Sequence, residues 1–133
     1  MKKILLAYDG TVGAEAALRQ TVELAKAFDA VVGIVSVVPV HPGRVPVDPW
    51  DDRPVHDEQL QLARAEFMKE GIEPLLHEPF GDPARTIEEV AEEGGYDTIV
   101  VGSRGLGPIG RVLEGSVSEH VATHADANVV IVR

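Results

Sequence analysis

Residues 102–116 read Gly102-Ser103-Arg104-Gly105-Leu106-Gly107-Pro108-Ile109-Gly110-Arg111-Val112-Leu113-Glu114-Gly115-Ser116. Five glycines in the first fourteen of these positions are costly to order, since each loses more backbone entropy on folding than other residues do. Such a stretch makes sense where main chain must approach a ligand closely or turn with positive φ. Gly115-Ser116 then opens a helix-like stretch, and the exposed amides and positive dipole end of a helix suit a phosphate. The chemistry on offer is anion binding by backbone N–H groups. Ser116 and Glu119 also spell the capping box S-x-x-E, which satisfies a helix start without any ligand. Both uses of Ser116 remain open, and they can alternate with ligand occupancy.

Other residues invite chemistry less well. His120 and His124 lie four apart, as zinc ligands on a helix do, but Val121 stands where HExxH requires glutamate. No cysteine is present to complete a site, so they read as helix-surface histidines near a C-terminal dipole. Asp48, Asp51, Asp52, His56 and Asp57 cluster around Trp50 without the glycine and terminal glutamate of a calcium loop, and read as solvated. Ser103 and Ser116 lack the G-x-S-x-G setting of an activated nucleophile. The glycine stretch is neither a Walker A loop, having no lysine, nor a G-x-G-x-x-G turn after the first strand. No catalytic residue and no protein metal site are expected.

The elements that must position this loop are legible from periodicity. Residues 3–8 form a short apolar run ended by Asp9-Gly10, a buried strand and a turn. An alanine-rich helix follows, with Ala14, Ala17, Leu18, Thr21, Val22, Ala25 and Phe28 on one stripe and Thr11 as its expected N-cap. Residues 30–38 are almost continuously apolar, as in a strand covered on both faces. Pro39 to Pro54 holds five of the nine prolines and reads as a long loop, either functional or mobile. Residues 55–70 predict a helix burying Leu60, Ala63 and Phe67 and stopped at Gly71; 72–80 predict a weakly apolar edge strand. Asp82-Pro83 starts a third helix with Ala84, Ile87, Val90 and Ala91 inward, Glu88-Glu89 and Glu92-Glu93 on its wet face, and Gly94-Gly95 at its end. Residues 98–101 give a fourth strand, 116–125 a fourth helix and 128–132 a last strand.

Strict β-α alternation with apolar strands means a parallel sheet with helices on both faces. Right-handed crossovers with one reversal of winding predict a doubly wound five-stranded α/β domain over residues 1–133, order 3-2-1-4-5. Ligands of such sheets bind at the carboxyl ends of the strands where the winding reverses, here between the first and fourth strands. The residues directly after those strands are Asp9-Gly10 and Gly102-Ser103-Arg104-Gly105.

Bulk properties narrow the function. With 133 residues and 44% apolar content, the chain suits one domain that needs no metal or disulfide staple. A net charge of −10 argues against nucleic-acid and anionic-membrane partners, both of which demand a basic face. It does not oppose a nucleotide held locally by backbone amides. The apolar run after Lys2-Lys3 breaks at Asp9, too short for a secretory or membrane segment, and the absence of cysteine suits a reducing compartment. A cytoplasmic location is the expectation.

The chain resembles the nucleotide-binding branch of the universal stress protein family. The family's fingerprint G-x2-G-x9-G-[ST] is met without gaps by Gly102, Gly105, Gly115 and Ser116. The resemblance extends to Lys3-Ile-Leu-Leu-Ala-Tyr-Asp9-Gly10-Thr11, to Tyr96-Asp97-Thr-Ile-Val-Val-Gly102 and to Val129-Val-Ile-Val132. It implies an adenine nucleotide alpha hydrolase-like fold and bound ATP, with Mg2+ or Mn2+ bridging the phosphates. It further implies that Asp9 bonds the ribose, where the sequence alone equally allows a turn residue capping the first helix. Ala7 and Tyr8 would line the adenine side, and Val37 would meet adenine through its backbone. Val101 and Gly102 would lie beneath sugar and phosphates. Gly105, Gly115, Ser116, Val117 and Ser118 would surround the phosphate tail, with Arg104 adding a cation or facing solvent.

The resemblance also implies a homodimer paired through the last strand, Val129, Val130, Ile131 and Val132. Asn128 stands just before it where many relatives carry proline. The 39–54 loop has no fixed family counterpart. An ATP-binding stress-response or signalling module with slow hydrolysis at most is the expectation. The alternative is an ATP-cleaving or adenylyl-transferring enzyme of the related fold, although the HIGH-like and SGGxD-like signatures of such enzymes are lacking. A weaker possibility is a nucleotide-free interaction dimer with a merely structural loop.

Overall fold

The computed structural model describes residues 1–8, 12–39, 53–102 and 126–132. Lys3–Ala7 forms strand β1, Val12–Phe28 helix α1, Val31–Val35 strand β2 and Val38–Pro39 the short strand β3. Arg53–Lys69 is α2, Leu75–His77 β4, Phe80–Gly81 β5, Pro83–Gly94 α3, Thr98–Gly102 β6 and Asn128–Val132 β7. The main sheet runs β4-β2-β1-β6-β7 with every neighbouring pair parallel. Numbered by its own five strands this is 3-2-1-4-5, the expected doubly wound order. The predicted helix over 116–125 and the loop from 40 to 52 lie outside the described residues.

Burial divides the helices between the faces. Ile4, Leu6, Tyr8, Val32, Ile34 and Val100 pack against Ala14, Ala17, Leu18 and Ala25 of α1 and Leu60, Ala63 and Phe67 of α2. Leu5, Ala7, Val35, Val37, Ile99 and Val101 point the other way, onto Ala84, Ile87 and Ala91 of α3. The period of two along each strand serves two cores at once, which is why these strands read as unbroken apolar runs. Phe28 departs from the predicted α1 stripe and is 54% exposed. The chain turns one residue later at Asp29, whose φ is 52°, and Ala30 N–H closes the helix onto the Ala25 carbonyl.

Two predicted strands are interrupted. The run 30–38 forms β2, breaks at Ser36-Val37 and resumes as β3, which pairs with β5 in a separate two-stranded ladder. The 72–80 strand likewise splits into β4 and β5 around Glu78-Pro79, because proline has no N–H to give the ladder. Backbone bonds stitch the breaks together, Ser36 N–H to the His77 carbonyl at 3.0 Å and Val38 N–H to the Pro79 carbonyl at 2.8 Å. As expected, β4 lies at the sheet edge. Helix α3 starts and stops as its sequence dictates. The Asp82 carboxylate accepts from Arg85 N–H at 3.2 Å, and Gly95 closes the helix in the left-handed region at φ 69°.

Tyr96 and Asp97 join α3 to the sheet. The Tyr96 ring lies between two glycines: a Cβ at Gly33 of β2 would fall 2.0 Å from its hydroxyl, and one at Gly94 would fall 2.4 Å from the ring. Lys3 Nζ sits 4.6 Å from the ring centroid and donates to the Gly94 carbonyl. Asp97 bridges the starts of β1 and β6. Its Oδ2 accepts from the N–H groups of Lys2 and Lys3 at 2.7 and 3.1 Å, and its Oδ1 accepts from the Thr98 hydroxyl at 2.8 Å. Burial alone would raise the Asp97 pKa, but these donors outweigh it and hold the carboxyl below the usual aspartate range.

Gly33→Ala should destabilise the protein by about 1–3 kcal/mol through overpacking, read as a lower urea midpoint. Tyr96→Phe in the same background should recover part of that loss, since the nearest clashing atom goes. Because the folded pKa of Asp97 is depressed, its stabilisation is present above the ordinary aspartate pKa and disappears as pH falls through the folded value. Asp97→Ala should therefore cost about 1–3 kcal/mol at neutral pH and progressively less in acid, measured by melts across pH.

Candidate functional site

Five of the sequence-nominated residues fall on described chain and converge at the carboxyl edge of three adjacent strands. Ala7 ends β1 and Tyr8 follows it; Val37 follows β2; Val101 and Gly102 end β6. Since β1 lies between β2 and β6, these residues surround the end of β1. The winding reverses here. The α1 connection leaves β1 on one face, and β6 is reached through α3 on the other. Asp9, Arg104, Gly105, Gly115, Ser116, Val117 and Ser118 lie outside the described residues, as do Thr11, His120 and His124.

The five described residues offer main chain and apolar surface. Ala7, Val37 and Val101 are buried in the α3-side core, with Val101 fully enclosed. The Tyr8 ring turns to the opposite side, into the α1-side core, where its hydroxyl donates to Glu15 Oε1 in the first turn of α1. What Tyr8 leaves for the carboxyl edge is therefore its main chain, and its N–H donates to the Val35 carbonyl at 2.9 Å. That bond carries the β1–β2 ladder one residue beyond its last pair, Ala7 with Val35. The Tyr8–Glu15 bond fastens the end of β1 to the start of α1.

Gly102 meets the first turn of α1 too closely to leave room for a side chain. A Cβ built on it would lie 2.5 Å from the Gly13 carbonyl oxygen and 2.7 Å from its carbonyl carbon. These are main-chain atoms, which cannot swing aside as a long side chain can. Glycine at 102 thus lets the end of β6 reach the start of α1. Gly102 also pairs with Val132 of β7, so its other side is fixed by the sheet.

Sequence reasoning missed Gly13 and Glu15 at this edge. A glycine in an otherwise alanine-rich first turn, where it costs roughly 1 kcal/mol relative to alanine, was the available signal for close approach. Glu15 gave none, because a strand residue and a helix residue seven apart have no fixed spatial relation until the turn between them is built. Among the described residues no group of three or more His, Asp or Glu side chains is placed to hold a metal ion. No described helix is long and apolar enough to cross a membrane. Of the side chains with displaced pKa values, Tyr96 and Asp97 precede β6 at the other end of the sheet, and His77 ends the edge strand β4, one strand beyond β2.

Comparison with known proteins bears on this geometry. The model of the universal stress protein family matches residues 1–133. A universal stress protein of Methanocaldococcus jannaschii is 32% identical over 139 residues, covering 99% of this chain and 82% of that one. A universal stress protein structure from Archaeoglobus fulgidus superposes with a TM-score of 0.81 at 29% identity, covering 100% of this chain and 99% of that one. A structure of an Archaeoglobus fulgidus universal stress protein in complex with dAMP gives 0.80 at 27% identity, covering 100% and 98%. Sheet order, the close approach of Gly102 to α1, and a family match over the full span agree: the chain belongs to the universal stress protein family.

Proposed function

We propose that the protein binds an adenine nucleotide, ATP with a bridging Mg2+ or Mn2+, at the carboxyl edge around β1, and works as a homodimeric stress-response module with little or no hydrolysis. One observation carries the reading. The G-x2-G-x9-G-S spacing begins at Gly102, and Gly102 is the residue whose missing side chain lets β6 end against the first turn of α1. A side-chain-poor edge of this kind suits a ligand recognised by backbone amides. The dAMP complex of the Archaeoglobus fulgidus relative supports an adenine nucleotide as the ligand class.

In this reading Ala7 and the Tyr8 backbone face the adenine side, the Val37 backbone meets the base, and Asp9 bonds the ribose. Val101 and Gly102 lie beneath sugar and phosphates. Gly105, Gly115, Ser116, Val117 and Ser118 receive the phosphate tail, and Arg104 adds positive charge. A divalent metal, when bound, would neutralise phosphate charge beside these amides. The chain supplies amide donors and a shaped edge, and no general base or arginine finger is assigned.

The β7 edge supports the dimer. β7 ends the sheet and pairs on one side with β6, while Ile131 is 40% exposed and Val129, Val130 and Val132 are half-buried. An apolar terminal strand is stabilised when a two-fold mate covers its open edge.

Mg-ATP at a hundredfold excess over its dissociation constant should raise stability by about 2.7 kcal/mol, read as a higher melting temperature. Asp9→Ala and Gly115→Val should each reduce that shift. No melting shift and no calorimetric heat with millimolar Mg-ATP, AMP or ADP would remove the reading, and rapid release of ADP or AMP would replace it with an enzyme. For the dimer, sedimentation should give twice the monomer mass, and Ile131→Lys should return the monomer while leaving the melt cooperative.

A further inference from the structure

His77 is the last residue of the edge strand β4, and its carbonyl and its side chain hold two different parts of the molecule. The carbonyl accepts Ser36 N–H at 3.0 Å, directly before Val37. The imidazole Nε2 lies 2.7 Å from the Tyr96 hydroxyl, and the rings meet edge-on with centroids 5.7 Å apart. Burial raises the Tyr96 pKa, so the phenol keeps its proton; with the imidazole neutral and its hydrogen on Nδ1, the phenol donates to Nε2. On its other contacts the Tyr96 hydroxyl abuts Gly33, where no side chain can take the proton over.

Protonation of His77 reverses this bond: Nε2–H then donates to the phenol oxygen, and the phenol hydrogen must turn away from the imidazole. The imidazolium would also share the Tyr96 ring with the Lys3 ammonium, 4.6 Å from the ring centroid. The carboxylates nearby are Glu78, next in the chain, and Glu88, Glu92 and Asp97, which line one cavity with Tyr96. β2 is Val31-Val32-Gly33-Ile34-Val35, and the α3 residues buried towards the sheet are Ala84, Thr86, Ile87 and Ala91, none of them ionisable. Lys3 faces the cluster from β1, Tyr96 from the turn before β6, and Glu78 follows His77 in the chain.

β4 has three residues and, among the described residues, pairs with β2 alone, ending at Val35 with His77. A strand so short at a sheet edge frays readily once its end pair is released. Fraying there takes with it the Ser36–His77 backbone bond that fixes the approach to Val37. We propose that His77, Tyr96 and Lys3 form an acid-released latch on edge strand β4, through which a fall in pH loosens the adenine side of the nucleotide site. The second half of this rests on the nucleotide reading above. Desolvation first, and the Lys3 charge second, lower the His77 pKa below its ordinary 6.5, as a latch closed at neutral pH requires. With the folded value depressed, the latch contributes stability above pH 6.5, and that contribution is lost as pH falls towards the folded value.

The test compares wild type with His77→Gln, whose amide oxygen accepts from Tyr96 at every pH. Apo protein is melted, and Mg-ATP is titrated calorimetrically, at neutral pH and about one unit below the ordinary histidine pKa. Phosphate protonation and the other four histidines affect both proteins alike and cancel. Wild type should lose stability in acid and weaken its ATP binding by about fivefold or more, while His77→Gln should lose markedly less of both. Parallel melting losses in the two proteins overturn the latch. Separate melting behaviour with equal affinity losses overturns the relay to the site. If neither protein binds ATP at neutral pH, the proposed function and the relay both fall, and the melts still decide the latch. Should His77→Gln not fold, histidine NMR of wild type decides: a His77 midpoint below 6.5 is expected, and one at or above 6.5 overturns the proposal.

Discussion

Where β6 ends, main chain meets main chain: the α-carbon of Gly102 faces the Gly13 carbonyl across a gap too narrow for a methyl group. The rest of the molecule follows from that contact. It draws the first turn of α1 over the end of β6. A parallel sheet that winds outward in both directions from β1 sends its connections to opposite faces at this point, which is where sheets of this kind bind ligands.

The strands around this point are rigid because they are buried twice. Ile4 and Leu6 belong to the α1–α2 core, and Leu5 and Ala7 to the α3 core, so β1 has no wet face. A one-residue slip would exchange the two sets of side chains between layers of different shape. Backbone hydrogen bonds continue the ladder at both ends, from Lys2 and Asp97 at the start to Tyr8 at the finish. The site thus stands on a platform whose position is over-determined, which suits recognition by fixed amides better than by mobile side chains.

The α3 layer is built around an aromatic ring held between glycines. Gly33 and Gly94 leave space for Tyr96, Lys3 caps the ring, and His77 takes the hydroxyl hydrogen. Edge strand, central strand and helix end are coupled through one side chain. The coupling runs from strand to strand through side chains on the α3 face, and so it links the edge strand to β1 without passing along the backbone.

Much of this was legible in the chain itself. Apolar periodicity, with Asp82-Pro83 and Gly94-Gly95 as punctuation, determined the elements and their order, because each depends on residues close in sequence. The same patterning nominated Asp9-Gly10 and Gly102 to Gly105 for the carboxyl edge, since alternating β and α elements admit few sheet orders, whereas Ala7, Val37 and Val101 were implied by the family resemblance. It did not show that 30–38 and 72–80 break into β2–β3 and β4–β5, or that Phe28 faces solvent. Those outcomes turn on which strands become neighbours and where each helix ends on the sheet. Nor did it show that the Tyr8 ring turns to Glu15, that Gly13 meets Gly102, or that His77 finds Tyr96 nineteen residues away. Sequence spacing carries no information about distances between strands and helices until the sheet is assembled. The local pattern determined what the parts are, and tertiary packing alone decided which side chains face each other across them.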